Sequence, residues 1–176
     1  MAATNILITG APGVGKTTLI RRLHDRLSGL KPVGFFTHEI RRGGGRQGFE
    51  IAAFDGRKGI LSHVDIKSRH RVGKYGVDVD GFNRFLDEID LDAPHCELII
   101  IDEIGKMECL SSRFQNLIGK LLDSPRLLIA TIARHGGGVI AETKRRSDVM
   151  TYEVTRSNRN TLAETIVKYV QNQLIR

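Results

Sequence analysis

The sequence predicts an α/β fold of three layers, with helices on both faces of a mostly parallel central sheet that carries an antiparallel β insertion. Three observations predict it. A short apolar strand at residues 5–9 runs into a glycine-rich loop and then into an amphipathic helix. Continuous apolar runs at 98–101 and 127–130 have the character of strands buried on both faces. Segments at helical spacing separate these runs, and such alternation builds parallel strands through right-handed crossovers.

Taken in order, Leu19, Ile20, Leu23 and Leu27 give the first helix its apolar stripe. Over residues 33–79 the pattern changes to short apolar or alternating runs, at 33–39, 49–54, 59–63 and 75–79, punctuated by Gly43-Gly44-Gly45, Asp55-Gly56 and Val72-Gly73. This is the basic β insertion. Asp80 is expected to cap a helix reaching about Glu88, with Phe82, Phe85, Leu86 and Ile89 turned inward, and Pro94 ends that connection. Asp102 and Glu103 stand at the C-terminal end of the 98–101 strand. Phe114, Leu117, Ile118, Leu121 and Leu122 then mark a covering helix. The 127–130 strand ends at Thr131, and Gly136-Gly137-Gly138 leads into a helix at 139–145. A last strand at 150–154 precedes a helix whose inner face is Leu162, Ile166, Tyr169 and Val170. No repeat or linker divides residues 1–176, so a single domain is expected.

Composition narrows the setting. No apolar run approaches the length of a membrane span, and Met1-Ala2-Ala3-Thr4 leads into the first strand without a charged leader, so a cytoplasmic protein away from membranes is expected. Cys96 and Cys109 lack metal-site spacing and read as reduced thiols. The net charge of +7 is concentrated: residues 41–74 hold nine Lys or Arg against three carboxylates. Such a stretch complements a triphosphate, follows a nucleic-acid backbone or is a solvated face. Aromatic residues are not regularly interleaved with the charges, so a nucleic-acid partner is not favoured. A monomer is expected.

The chemistry begins in the loop Gly10-Ala11-Pro12-Gly13-Val14-Gly15-Lys16-Thr17, which has the spacing Gly-x-x-x-x-Gly-Lys-Thr between a strand and a helix. Backbone N–H groups and the positive end of the helix dipole, with Thr18 in the first turn, converge there on a phosphate-sized volume. A nucleoside triphosphate is the predicted ligand. Gly10, Gly13 and Gly15 keep the loop free of Cβ atoms that would block its conformation or phosphate approach. Lys16 is placed to reach the β- and γ-phosphates, and the Thr17 hydroxyl to bind Mg²⁺. Asp102, after four apolar residues, is the Walker B carboxylate and the second holder of Mg²⁺. Glu103 is the candidate to orient or deprotonate a water attacking the γ-phosphorus; a plain strand-end carboxylate is the competing reading.

Around these stand weaker candidates. Thr131 ends a neighbouring strand and is placed to sense the γ-phosphate or the attacking water, or is simply structural. Arg134, Arg42 and Arg46 are candidates for a transition-state arginine supplied in cis. Lys106 and Glu108 border the site or form a surface ion pair. His38, His63, His70 and His135 have no ligand-like spacing.

Set beside the loop, the run Ile101-Asp102-Glu103-Ile104-Gly105-Lys106-Met107-Glu108 resembles the P-loop nucleoside-triphosphate phosphatases first described in thermophiles, a family whose vertebrate relative is called the cancer-related nucleoside-triphosphatase. Three more segments are similar to that family: Gly34-Phe35-Phe36-Thr37-His38-Glu39-Ile40-Arg41 with Arg46-Gln47-Gly48-Phe49, then Arg71-Val72-Gly73-Lys74-Tyr75-Gly76-Val77-Asp78, then Val154-Thr155-Arg156-Ser157-Asn158-Arg159-Asn160. Phe36 stands where the family more often has Tyr. The resemblance implies a P-loop NTPase fold with an additional strand between the cradle and Walker B strands. It implies Mg²⁺-dependent hydrolysis of ATP, GTP, CTP and UTP to the diphosphate and phosphate. It also brings Asn158 and Arg159 toward base or ribose, against a purely structural cap on the last helix. The same cradle also serves a small-molecule, nucleotide or polynucleotide kinase, or a nucleic-acid-associated ATPase or switch.

Overall fold

Residues 5–93 and 95–174 are described by the computed structural model. Residues 1–4 and Pro94 therefore lie outside the described residues. Strands β1 (Asn5–Gly10), β2 (Val33–Arg42), β3 (Gly45–Ala53), β4 (Lys58–His63), β5 (Arg71–Val72), β6 (Tyr75–Val77), β7 (Leu98–Ile104), β8 (Leu127–Ile132) and β9 (Val149–Val154) alternate with helices α1 (Lys16–Arg26), α2 (Val79–Glu88), α3 (Ser112–Asp123), α4 (Val139–Lys144) and α5 (Leu162–Leu174). All nine described strands join in one sheet, in the order β5-β6-β4-β3-β2-β7-β8-β1-β9.

The central strands are apolar on both faces because both faces are covered. Ile6 and Ile8 of β1, Ile100 of β7 and Ile129 of β8 pack with Leu19, Ile20 and Leu23 of α1 and Ile166 and Val170 of α5. Leu7, Ile99, Ile101, Leu128 and Ala130 point the other way, into a second core with Phe82 of α2 and Phe114 and Ile118 of α3. Phe35 of β2 enters that core, with ring centroids 5.7 Å from Phe85 and 6.2 Å from Phe82. Strands β2, β7, β8, β1 and β9 are mutually parallel. The strand between the cradle strand β1 and the Asp102 strand β7 is β8, as the resemblance implied.

Four local expectations are corrected. The insertion does not begin at residue 33: Val33 to Phe35 pair in parallel with Ile99 to Ile101, and the antiparallel pairing with β3 starts only at Phe35, which belongs to both ladders. One strand is thus both core and hairpin. Val79 starts α2 rather than ending a strand, and the cap is Asp78, whose Oδ1 accepts the Gly81 N–H at 2.9 Å, not Asp80. Asp102 and Glu103 lie inside β7, which runs on to Ile104 across a register shift against β8; the Asp102–Glu103 peptide is cis. The short β5 had no sequence signal of its own beyond Val72-Gly73.

A buried asparagine fastens the sheet at the opposite end from the loop. Asn5 is 1% exposed; its Oδ1 accepts the Leu128 N–H at 3.0 Å and its Nδ2 donates to the Leu122 carbonyl at 3.2 Å. Asn5→Ala is expected to cost about 1–3 kcal/mol, because both backbone groups lose their partner in a dry environment. A lower urea midpoint with an unchanged denaturant slope checks this.

Candidate active site

The loop between β1 and α1 has the form that its glycines require. Gly15 caps α1 at φ 115°, with no side-chain cap and no acidic residue in the first turn. The helix's first N–H groups therefore face outward as a ready anion site. A Cβ on Gly10 would stand 2.8 Å from the Val154 carbonyl oxygen, so only glycine lets β1 leave so close to β9. Lys16 folds over the loop, its Nζ donating to the carbonyls of Gly10 at 3.0 Å and Ala11 at 3.3 Å. Pro12, Gly13, Thr17 and Thr18 border a cavity of about 810 Å³; Ala11 is turned to the loop's own bonding and Val14 packs into the α1 core.

Asp102 is brought to this cavity by β7. It is 2% exposed, and its Oδ1 accepts the Thr131 hydroxyl at 2.6 Å while its other oxygen is buried without a partner. Burial pushes its pKa up; hydrogen bonds from the Thr131 and Thr17 hydroxyls oppose that rise. Thr131 therefore spends its hydroxyl on Asp102 rather than on the cavity. Thr37 of β2, which sequence reasoning missed, donates its hydroxyl to the Asp102 backbone carbonyl. Its only signal was the parallel pairing of β2 with β7.

Glu103 lines the same cavity. Burial raises its pKa; the Lys16 charge opposes that, Asp102 adds to it and the Lys144 charge opposes it. Lys144, also missed, comes from α4 and donates to the carbonyls of Ala133 at 2.6 Å and Arg134 at 2.8 Å, holding the loop after β8 beside the site. Glu108 is no surface ion-pair partner for Lys106: it is 5% exposed and turned toward Glu103. Gly105 makes room for both. An added Cβ there would lie 2.7 Å from Glu108 Oε2 and 2.9 Å from Glu103 Oε1. Burial first, then Glu103, pushes the Glu108 pKa up to about 8.

The remaining candidates separate. Arg46 and Arg134 border the cavity, whereas Arg42 is not among its described lining residues. Arg46 is paired with Glu39 at 2.5 Å and Arg134 with Glu153 at 3.5 Å. Part of the basic stretch is paired locally: Arg41 shares Glu39 with Arg46, and Arg57 pairs with Asp55 and Lys58 with Glu50. Asn158 accepts the Thr155 N–H and donates to the Glu153 carbonyl, both at 2.8–2.9 Å, so its amide is committed to the turn before α5. The Arg159 stem stands 3.8 Å from the Cβ position of Gly15, at the loop itself. His135 borders the cavity; His38 accepts from Arg21 at 2.7 Å, and burial and that guanidinium lower its pKa.

Glu108 makes a pH prediction. Its folded-state pKa lies above its ordinary value of 4.5, so the folded chain holds the proton more tightly than the unfolded chain. The resulting stability is complete below pH 4.5 and is lost as pH rises through about 8. Denaturant midpoints measured between pH 5 and 9, in the unmodified chain and in Glu108→Gln, should show this decline in the first and a flatter profile in the second.

Comparison with known proteins places the geometry. A family model described as NTPase matches residues 5–167. Nucleoside-triphosphatase THEP1 of Thermotoga sp. (strain RQ2) is 41% identical over 167 residues, covering 94% of this chain and 95% of the relative. The human cancer-related nucleoside-triphosphatase is 38% identical over 186 residues, covering 97% and 98%. Among solved structures, THEP1 from the hyperthermophile Aquifex aeolicus superposes with a TM-score of 0.79 at 37% identity, covering 93% of this chain and 97% of that one. The solution structure of a human cancer-related nucleoside triphosphatase reaches 0.83 at 36% identity, covering 97% and 98%. Matched from its first strand into its last helix, the chain belongs to the NTPase family and is a P-loop hydrolase of the nucleoside-triphosphatase type.

Proposed function

We propose that this chain hydrolyses ATP, GTP, CTP and UTP to the nucleoside diphosphate and phosphate, with Mg²⁺ as cofactor. The observation that carries the reading is the Asp102 carboxylate: buried beside the phosphate loop, held through one oxygen by Thr131, with its other oxygen free of protein partners. That unpartnered oxygen and the Thr17 hydroxyl, which lines the same cavity, are a donor set suited to a hydrated hard cation. Held by Asp102 and Thr17, Mg²⁺ would supply charge neutralisation to a bound triphosphate.

The chain's own residues account for the rest. Backbone N–H groups at the start of α1 hold the phosphates, and Lys16 exchanges its loop carbonyls for phosphate oxygens. Glu103, buried enough for its pKa to rise yet facing Lys16, orients a water and takes its proton as the oxygen attacks the γ-phosphorus. Base tolerance is supported on the side where the nucleoside leaves, since the Asn158 amide is committed to backbone. Arg159 is the side chain left beside the loop for ribose or base. Two free cysteines support a reducing, cytoplasmic setting, and no helix among the described residues is long and apolar enough to cross a membrane. Ile60 alone among the described large apolar residues is exposed, which supports a monomer.

Phosphate release from the four triphosphates without any acceptor, with and without RNA, tests this reading. Turnover is expected with each, unaffected by RNA and abolished by a chelator of divalent cations. Turnover that waits for a hydroxyl-bearing acceptor would overturn it in favour of a kinase. Glu103→Gln is expected to keep triphosphate binding while slowing release about 10²–10⁴-fold. Lys16→Ala is expected to weaken binding and turnover together. Both follow from equilibrium nucleotide binding measured beside phosphate release.

A further inference from the structure

The cavity is larger than its phosphate end requires. Its 810 Å³ falls within the range of pockets that enclose whole small molecules. One lobe is the loop, Lys16, Thr17 and Asp102. The second is walled by strands of the insertion and by the turn after β7: Phe49, Val72 and Met107 supply apolar surface over the buried Leu61, with Arg46 and Lys106 among the charged groups. Glu103 stands where the lobes meet, acted on by Lys16 from one side and sharing the space over Gly105 with Glu108 on the other.

The sheet order says which end of a triphosphate meets which lobe. Asp102 and Glu103 lie on β7, two strands to one side of β1, and the Arg159 turn follows β9 on the other side. On the proposed reading the γ-phosphate points toward Glu103 and the nucleoside leaves on the Arg159 side. The apolar lobe therefore lies beyond the γ-phosphate, where the substrate's own base does not reach. Its charge is mixed: Arg46 shares the Glu39 carboxylate with Arg41, and Lys106 lines the cavity together with Glu103. Apolar walls beside a carboxylate suit a neutral, flat ring that carries a hydroxyl.

We propose that this second lobe binds a nucleoside as phosphoryl acceptor, giving the chain a transferase activity beside hydrolysis. The ring lies against Phe49, Val72 and Met107, and a ribose hydroxyl replaces water before Glu103. The hydroxyl oxygen forms the new bond to the γ-phosphorus, its proton passes to Glu103, and the bond from that phosphorus to the β,γ-bridging oxygen breaks. The products are a nucleoside monophosphate and the nucleoside diphosphate of the donor. The inference rests on the proposed placement of the triphosphate in the loop.

The experiment gives the full chain ATP and Mg²⁺ with adenosine, guanosine, cytidine, uridine or thymidine, and measures free phosphate and nucleoside monophosphate by mass spectrometry. Monophosphate formed at the expense of free phosphate is expected with at least one nucleoside. Free phosphate that no nucleoside diminishes, with no monophosphate, overturns the proposal and leaves hydrolysis standing; no product of either kind overturns both. Monophosphate without acceptor-free hydrolysis supports the proposal and overturns the hydrolase reading. Val72→Trp, filling the lobe, is expected to lower the ratio of monophosphate to free phosphate about tenfold or more. Should that variant not fold, the same ratio is read in Phe49→Ala, where a fall is again expected. An unchanged ratio in the folded variant overturns the assignment of the lobe.

Discussion

The hydrogen bond from the Thr131 hydroxyl to Asp102 is the contact on which the site depends. It joins adjacent strands, β8 and β7, where the ladder between them changes register, and it fixes one oxygen of a carboxylate that has almost no water around it. An ionised carboxylate in such a place is costly unless its lone pairs are used. Thr131 uses some of that capacity, and the oxygen left without a protein partner is the feature that makes the place fit for a cation. The β1–β8–β7 order makes the arrangement obligatory: the strand that carries Thr131 lies between the one that feeds the loop and the one that carries the acid.

Charge organises the surroundings. Asp102, Glu103 and Glu108 are three carboxylates within a few residues, and the charges that offset Glu103 come from far away in sequence: Lys16 from α1 and Lys144 from α4. Neither lysine is spent on an ion pair with it; each donates to backbone carbonyls. Glu103 is thus stabilised by a field rather than by contact, whereas Asp102 leans on the Thr131 hydroxyl. Glu108, the most enclosed, meets the crowding by keeping its proton.

The parts of this picture written locally were legible in the sequence. Gly10 to Thr17 and Asp102 are defined by short-range spacing, and the buried strands and helix stripes by periodicity, so the core residues from Leu19 to Val170 emerged with the elements that carry them. What stayed hidden was created by pairing between distant segments. Thr37 looks like any strand threonine until β2 is placed beside β7, and Lys144 like any helix lysine until α4 folds over the end of β8. For Glu108 a place at the site and a surface ion pair stayed equally open, because nothing in Lys106-Met107-Glu108 says that the chain turns it inward. Asp78 and Asp80 are both plausible caps by type, and only the position of the Gly81 N–H separates them.

The double membership of β2 has a mechanical meaning. Residues 33–35 of that strand are locked to β7 in the parallel core, while the same strand continues, past the irregularity between Ile40 and Arg41, into the hairpin that brings Glu39 and Arg46 to the cavity. No linker intervenes, so the hairpin has no hinge on which to swing as a rigid flap. Any motion that admits or releases a ligand must be taken up as twist along a continuous, hydrogen-bonded ribbon, and its stiffness is felt at Asp102 through Thr37. The insertion behaves as a cantilever rooted in the sheet that carries the site, and load on its tip is load on the Asp102 carboxylate.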